Sequence, residues 1–356
     1  MKIDAERISG RSGTNSGLGI DQLLPEQRAV KSRMDERLGA IISRSEGAVP
    51  HSLLHDALFP GRRMRPFLLF HLVGGSDIAK AHPEIDTLAL GVELAHRASI
   101  IVDDLMDRDI VRRSTPTFHA THGEDTTILI AHYLTSLAFR FFSKLPKKIR
   151  AEACQALADA YSKMCVGQLA DVGGIPATTN YVALFRDTVL LKTSALFELV
   201  FRLALLVRRG LVSDCHLAIW KLGRQLGELY QIHNDIYDDL LASAVERGAG
   251  GNERFTLSLP VCIFLDNADP ADKSAMLQAI YDNERASGSH GQLVRMLRCP
   301  SVLREAHVYA GNCWGEVTRT LEDIEGLDLA REIRDFAIWL RQDKCWDQKV
   351  VHDAGY

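Results

Sequence analysis

A chain of 356 residues is long enough to bury a substantial core. Its 46% hydrophobic and 25% charged residues are ordinary for a folded protein, and a net charge of −4 gives no overall basic field to draw it to nucleic acid or anionic lipid. The seven cysteines, at 154, 165, 215, 262, 299, 313 and 345, are scattered and form no CxxC pair, which argues for reduced thiols in a cytosol rather than a disulfide frame or a zinc site.

The chain opens with "MKIDAERISGRSGTNSGLGID", polar and rich in Gly and Ser, which predicts a flexible segment over 1–22 and no signal peptide. From about residue 25, apolar residues recur at three and four positions through "EQRAVKSRMDERLGAIISR", "IDTLALGVELAHRASIIVDDLMD", "TTILIAHYLTSLAFRFFSKL", "AEACQALADAYSKMCVGQLADV", "YVALFRDTVLLKTSALFELVFRLALLV" and "CHLAIWKLGRQLGELYQIHNDIYDDLLA". Alternating strand patterns are nearly absent, so the chain reads as all-α. Pro and Gly mark turns between the segments without a long central linker, which gives one helical domain over 23–350 with a loop near residues 243–255. The most apolar run, "SALFELVFRLALLVRRG", is broken by Glu198 and Arg202 and reads as a buried helix. A cytoplasmic protein with no stable membrane insertion and no nucleic-acid partner is expected.

Asp103, Asp104 and Asp107 form a DDxxD pattern at the end of a helical apolar run, which puts Asp103 and Asp107 one turn apart on one face. Crowded carboxylates beside apolar surface raise one another's pKa and cost stability unless a cation sits among them. Such a face suits a hard cation shared with phosphate oxygens. Taken alone it also suits a solvated acidic face. A second cluster, Asn234, Asp235 and Asp238 with Asp239 beside it, again closes a long amphipathic helix. Two such helix ends facing each other across a bundle could hold several metal ions.

The cationic residues complement them. Arg62, Arg63 and Arg65 mark a helix start, Arg112 and Arg113 follow the first acidic cluster, and Lys192-Thr193 lies within an apolar helix. Arginine forks grip phosphate oxygens in bidentate fashion, and a lysine among leucines calls for an anion. Alternating acidic clusters and phosphate-grade bases on aliphatic helices describe a site for a metal-bound diphosphate with a hydrocarbon tail.

In order along the chain, "GRRMRP", "ELAHRASIIVDDLMDRDIVRRSTPTFH", "GQLAD", "LKTSALF" and "GELYQIHNDIYDD" resemble the motifs of the trans-isoprenyl diphosphate synthase (polyprenyl synthetase) family, geranylgeranyl diphosphate synthases included, over residues 55–260. The resemblance implies a single-domain helical bundle around a deep central cavity, the isoprenoid synthase fold, usually dimeric. It implies Mg2+, three ions with diphosphate bound, held by Asp103, Asp104 and Asp107 and, from the opposite side, by Asn234, Asp235 and Asp238. It also places Arg62, Arg65, His96 and Arg113 around isopentenyl diphosphate, and Arg112, Lys192, Thr193 and Gln231 around the allylic diphosphate. Asp103, Asp104, Lys192 and Asp235 would carry the metal-assisted ionisation, after which isopentenyl diphosphate attacks the allylic cation.

One helical turn is about 5.4 Å, close to one five-carbon unit, so side chains one and two turns before Asp103 limit the tail. Those positions hold Ala95, Ala98 and Ser99, all small, where farnesyl-stopping members often carry an aromatic. A product of C20 or longer is expected, unless Tyr133 or Phe139 forms a floor. The chain departs from the family pattern at Arg62 for lysine, Val102, Ser114 and Asn234, and in a 243–255 loop without the usual lysines, for which Arg247 and Arg254 are substitutes. Asn234 and that loop keep open a same-fold class I terpene cyclase or a prenyl transferase to another acceptor; a non-catalytic subunit of a heteromeric synthase is a third reading, against which the complete acidic motifs argue.

Overall fold

The computed structural model describes residues 20–44, 49–74, 82–112, 115–172, 180–209, 217–236, 257–281, 296–326 and 329–343. The apolar stripes read from the sequence wind into α1 (Ile20–Arg44), α2 (His51–Leu58), α3 (Met64–Val73) and α4 (Glu84–Met106). A two-residue antiparallel ribbon, β1 (Val111–Arg112) and β2 (Thr115–Pro116), turns the chain into α5 (Phe118–His122), α6 (Glu124–Phe142) and α7 (Lys147–Val172). Next, α8 (Tyr181–Leu184) passes through a π turn at Phe185–Val189 into α9 (Leu190–Arg209), followed by α10 (Leu217–Ile236). The C-terminal part adds α11 (Leu259–Asn267), α12 (Pro270–Tyr281), α13 (Pro300–Asp323) and α14 (Ala330–Asp343). The architecture is all-α, as the periodicity predicts; the ribbon is the departure from it. Most of segment 1–22 and the whole 243–255 loop lie outside the described residues, and α1 already begins at Ile20.

Helix α9 sits at the centre. It packs on α7, α10 and α3, and touches α4, while α4 lies against α6, α3 and α1. Its buried positions, among them Leu196, Phe197, Val200, Phe201 and Leu203, share the main core with Phe67, Leu88, Val92, Leu134 and Leu226 from those neighbours. A second cluster under α8 and α11, built on Phe185, Ile232, Val261 and Leu265, carries α12 and the first half of α13, whereas α14 packs into the main core through Ile333, Phe336 and Trp339. No helix among the described residues is long and apolar enough to cross a membrane.

Buried charge fastens α1, α3 and α4. Asp86, in the first turn of α4 where the helix dipole favours an anion, accepts from Arg33 Nε and Nη2 at 2.7 and 2.8 Å and from Arg37 at 2.8 Å. Arg63 departs from the sequence reading that counted it among phosphate-binding arginines. Its side chain is wholly buried and donates to Glu93 Oε1 at 2.7 Å, Asp35 Oδ1 at 2.9 Å and the Phe59 carbonyl at 3.1 Å. Its backbone is left-handed, φ 55°, at the cap of α3. Reversing the chain in this way turns Arg63 inward, so its guanidinium ties three helices together instead of facing a ligand.

A buried ion pair that loses one member leaves an uncompensated charge and destabilises by roughly 3–5 kcal/mol. Replacing Glu93 with Ala should therefore lower unfolding stability in urea by about that amount; a stability within about 1 kcal/mol of the parent would remove the strut from the account.

Candidate diphosphate site

The first acidic cluster occupies the C-terminal end of α4, where the helix dipole is already negative and the last turn holds no basic residue. The Asp107 N–H closes that turn on the Asp103 carbonyl at 2.8 Å, and Arg108 then takes φ 58° and stops the helix. Asp103 is partly open, whereas Asp104 and Asp107 are buried. Burial pushes the Asp104 carboxyl above its ordinary range, with the neighbouring Arg112 guanidinium pulling the other way.

Two cations answer this charge. Arg112, delivered by the ribbon, bonds through Nε to Asp104 and places Nη2 3.8 Å from Asp103 Oδ2. Burial works against the charge on Arg112, but Asp104 and Asp103 more than offset it and hold its pKa above the ordinary arginine value. Lys192 reaches across from α9 and puts Nζ 2.8 Å from Asp103 Oδ1, an ion contact without a well-aligned hydrogen bond at that oxygen. Gly167 makes this approach feasible: a Cβ there would lie 2.9 Å from the Lys192 backbone nitrogen and 3.0 Å from its Cγ.

The same stretch of α9 reaches the second cluster. One residue after Lys192, Thr193 donates to Gln231 Oε1 at 2.6 Å; Gln231 Nε2 in turn donates to Asp235 Oδ1 at 2.6 Å. The other Asp235 oxygen accepts the Leu259 N–H at 3.0 Å, at the first turn of α11. Asp235 thus ends α10 buried and engaged by two protein donors, the second from a helix N-terminus that favours an anion. Half-buried Asn234 lies beside it.

One turn further along α9, Phe197 lies under the Arg65 guanidinium, 5.4 Å from its ring centre, and against Tyr230 of α10. Arg65 Nη1 is 2.7 Å from His96 Nε2 of α4. Burial holds the Arg65 pKa below the ordinary value, and attraction from Tyr230 and Glu93 compensates in part; its Nε has no hydrogen-bond partner. Arg97, next to His96, is likewise buried, bonded to the Ala57 carbonyl at 2.7 Å and lowered to about 10 by burial. Three buried guanidiniums, of Arg63, Arg65 and Arg97, thus stand near the carboxylates of Glu93, Asp35 and Asp104, and among the described residues no carboxylate lies within ion-pair range of Arg65.

Arg62 is exposed on the turn before Arg65. Arg113, Asp238, Asp239, Arg247 and Arg254 lie outside the described residues. Below the acidic end, Ala95 and Ala98 are buried and the Ser99 hydroxyl donates to the His96 carbonyl at 2.9 Å. The sequence reading missed Tyr161 and Gln168. Tyr161 brings its hydroxyl to Thr135 at 2.8 Å and to the Ala95 carbonyl at 3.4 Å, with Phe139 beside its ring. The Gln168 side-chain nitrogen is buried without a hydrogen-bond partner. For Gln168 a signal existed, since it follows Gly167 in "GQLAD". Tyr161 offered none, because at helical spacing it looks like any core aromatic.

Among the described residues no three His, Cys, Asp or Glu side chains converge on one metal position. The oxygen donors of Asp103, Asp104 and Asp107 nevertheless fit a hard divalent cation that takes its remaining ligands from phosphate and water, and the loosely held Asp103 Oδ1 provides an entry point. Asp235 fits less well, because both of its oxygens already serve protein donors.

Comparison with known proteins places this arrangement. The chain is 32% identical over 192 residues to geranylfarnesyl diphosphate synthase of Aeropyrum pernix, covering 51% of this chain and 59% of that one. It is 30% identical over 224 residues to geranylgeranyl diphosphate synthase of Methanosarcina mazei, covering 62% and 66%. The aligned part spans about three fifths of the length of several such relatives. Two solved structures share the fold. Geranylgeranyl pyrophosphate synthetase from Pyrococcus horikoshii has a TM-score of 0.69 at 23% identity, covering 89% of this chain and 98% of that one. Decaprenyl diphosphate synthase from Rhodobacter capsulatus gives 0.71 at 20%, covering 91% and 99%. The polyprenyl synthetase profile matches residues 51–297, well over half of the chain, and the protein belongs to that family.

Proposed function

We propose that this protein is a trans-prenyltransferase that condenses an allylic prenyl diphosphate with isopentenyl diphosphate to give a trans-prenyl diphosphate of C20 or longer, and that it needs Mg2+, three ions with diphosphate bound. Family membership carries a divalent-metal requirement. Asp103, Asp104 and Asp107 would hold such an ion, which would stabilise the charge on a departing diphosphate.

The chain's own residues account for the rest. Lys192 and Arg112, which neutralise Asp103 and Asp104, are placed to turn from those carboxylates to diphosphate oxygens. Both then face negative charge as it builds on the leaving group, worth several kcal/mol for each well-oriented donor. Thr193 and Gln231 set the edge of that pocket, and the buried amide of Gln168 is a further donor. Arg65 with His96, and Arg62 beside them, forms a second anion pocket for isopentenyl diphosphate.

One observation supports two-substrate condensation over the alternatives: the buried Arg65 cation, hydrogen-bonded to an imidazole and without an ion-paired carboxylate among the described residues, asks for a second anion for which a cyclase has no use. The engaged Asp235 beside neutral Asn234 favours the competing reading, ionisation without isopentenyl diphosphate, because it thins the second metal half-site. Exposed apolar residues on α6 and α7, including Leu129 at 69% and Leu169 at 68% exposure, support a homodimer. The free thiols of the described cysteines support a cytoplasmic location.

The two chemistries separate in one assay with labelled isopentenyl diphosphate, magnesium and geranyl, farnesyl or geranylgeranyl diphosphate. Label moving into a longer prenyl diphosphate is expected, whereas hydrocarbon released without isopentenyl diphosphate would establish the cyclase instead. Tail length is read at Ala98, buried more than one turn below Asp103. Ala98→Phe should shift the product distribution by at least one five-carbon unit toward shorter chains, and an unaltered distribution would show that the tail follows another path.

A further inference from the structure

The net charge of −4 hides a strong local field. The stretch "RFFSKLPKKIR", residues 140–150, joins α6 to α7 with Arg140, Lys144, Lys147, Lys148 and Arg150 and no acidic residue. The turn is rigidly built. The Ser143, Lys144 and Leu145 amides donate to the carbonyls of Phe139, Phe141 and Phe142, those of Ile149 and Arg150 both donate to the Pro146 carbonyl, and Arg150 Nε donates to the Leu145 carbonyl at 2.9 Å. Leu145 and Ile149 anchor it in the core, leaving Arg140, Lys144, Lys147 and Lys148 exposed. Among the described residues no carboxylate lies within ion-pair range of these four. Glu152, the nearest acid in sequence, pairs with Arg202 at 3.4 Å. Clustered cations without counter-ions repel one another, so on a surface of net negative charge they mark an anionic partner.

The position of the turn identifies that partner. Phe142 packs on Gly91, where a Cβ would come within 2.3 Å of the ring, and Gly91 precedes Asp103 by about 18 Å of helix. The basic turn therefore caps the end of the bundle away from the carboxylates, the end toward which a hydrocarbon tail of four or more five-carbon units extends. The product is a lipid, and a flat group of lysines and arginines beside its tail end matches an anionic bilayer, to which such clusters adhere reversibly without inserting. Nucleic acid is the weaker match, because the half-buried Phe141 ring of the turn already lies under Lys144, 5.4 Å from its centre, and the remaining surface is acidic overall.

We infer that the α6–α7 turn, through Arg140, Lys144, Lys147 and Lys148, docks this protein electrostatically on anionic membrane surfaces. The inference rests on the prenyl reading for its purpose, but its test needs no substrate, so either can fail without the other. The full chain is floated with vesicles of phosphatidylcholine alone and of phosphatidylcholine mixed with phosphatidylglycerol, at low and high salt, and the triple variant Lys144→Gln, Lys147→Gln, Lys148→Gln is treated alike. Thermal melting first establishes that the variant is folded. Binding to the anionic vesicles alone, abolished by salt and weakened more than about tenfold in the variant, is expected. The inference is overturned by equal binding to neutral vesicles, by no binding to either, by a folded variant that binds as the parent does, or by a single-stranded oligonucleotide that competes the protein off the vesicles through the same lysines.

Discussion

Helix α4 ends on charge of its own sign. Its C-terminal carbonyls carry partial negative charge, and Asp103, Asp104 and Asp107 add three carboxylates to the same turn. The last turn of α4 holds no basic residue, and Arg97 two turns earlier relieves Asp104 only in part, so further relief comes from elsewhere in the chain. Arg112 supplies it from the ribbon and Lys192 from α9, and much of the bundle's geometry serves to bring those two groups there. Gly167 lets α7 press against α9 at Lys192, and the π turn at Phe185–Val189 leads directly into that part of α9. On the proposed function, a divalent ion at these carboxylates would take over the cations' role and leave Arg112 and Lys192 to face phosphate.

The end of α10 meets the same difficulty with a different solution. There the buried Asp235 carboxylate is satisfied by the Gln231 side chain and by the Leu259 amide at the N-terminus of α11, a backbone donor fixed by its helix. The two acidic ends are thus unequal. One is held by side chains alone; the other is held in part by a backbone amide of the helical frame. On the proposed function, neutral Asn234 beside Asp235 would leave the larger share of metal holding to α4.

Much of this was legible in the sequence, for particular physical reasons. The three- and four-residue stripes define α4, α6, α7, α9 and α10 because each helix buries one face against α9 or its neighbours, and burial writes that period into the chain. The acidic clusters stood out because carboxylates seldom end apolar runs. What the sequence could not separate was the direction in which neighbouring arginines point. Arg62, Arg63 and Arg65 look equivalent on paper, yet a left-handed backbone at Arg63 sends one to Glu93 and Asp35, leaves one exposed and aims the third at His96. Likewise Asp235 reads as a free ligand until α11, which follows it after more than twenty residues, delivers the Leu259 amide. Tertiary contacts between distant segments decide both cases.

The central claim is that Lys192 and Arg112 stand in for a metal ion at Asp103 and Asp104 and turn to phosphate when the ion arrives. Titration calorimetry of the full chain with inorganic diphosphate, in the presence and absence of magnesium, tests it most directly. The account requires tight binding with magnesium and binding at least about tenfold weaker without it, since the cations remain committed to carboxylates. Equal affinity in both titrations would contradict it.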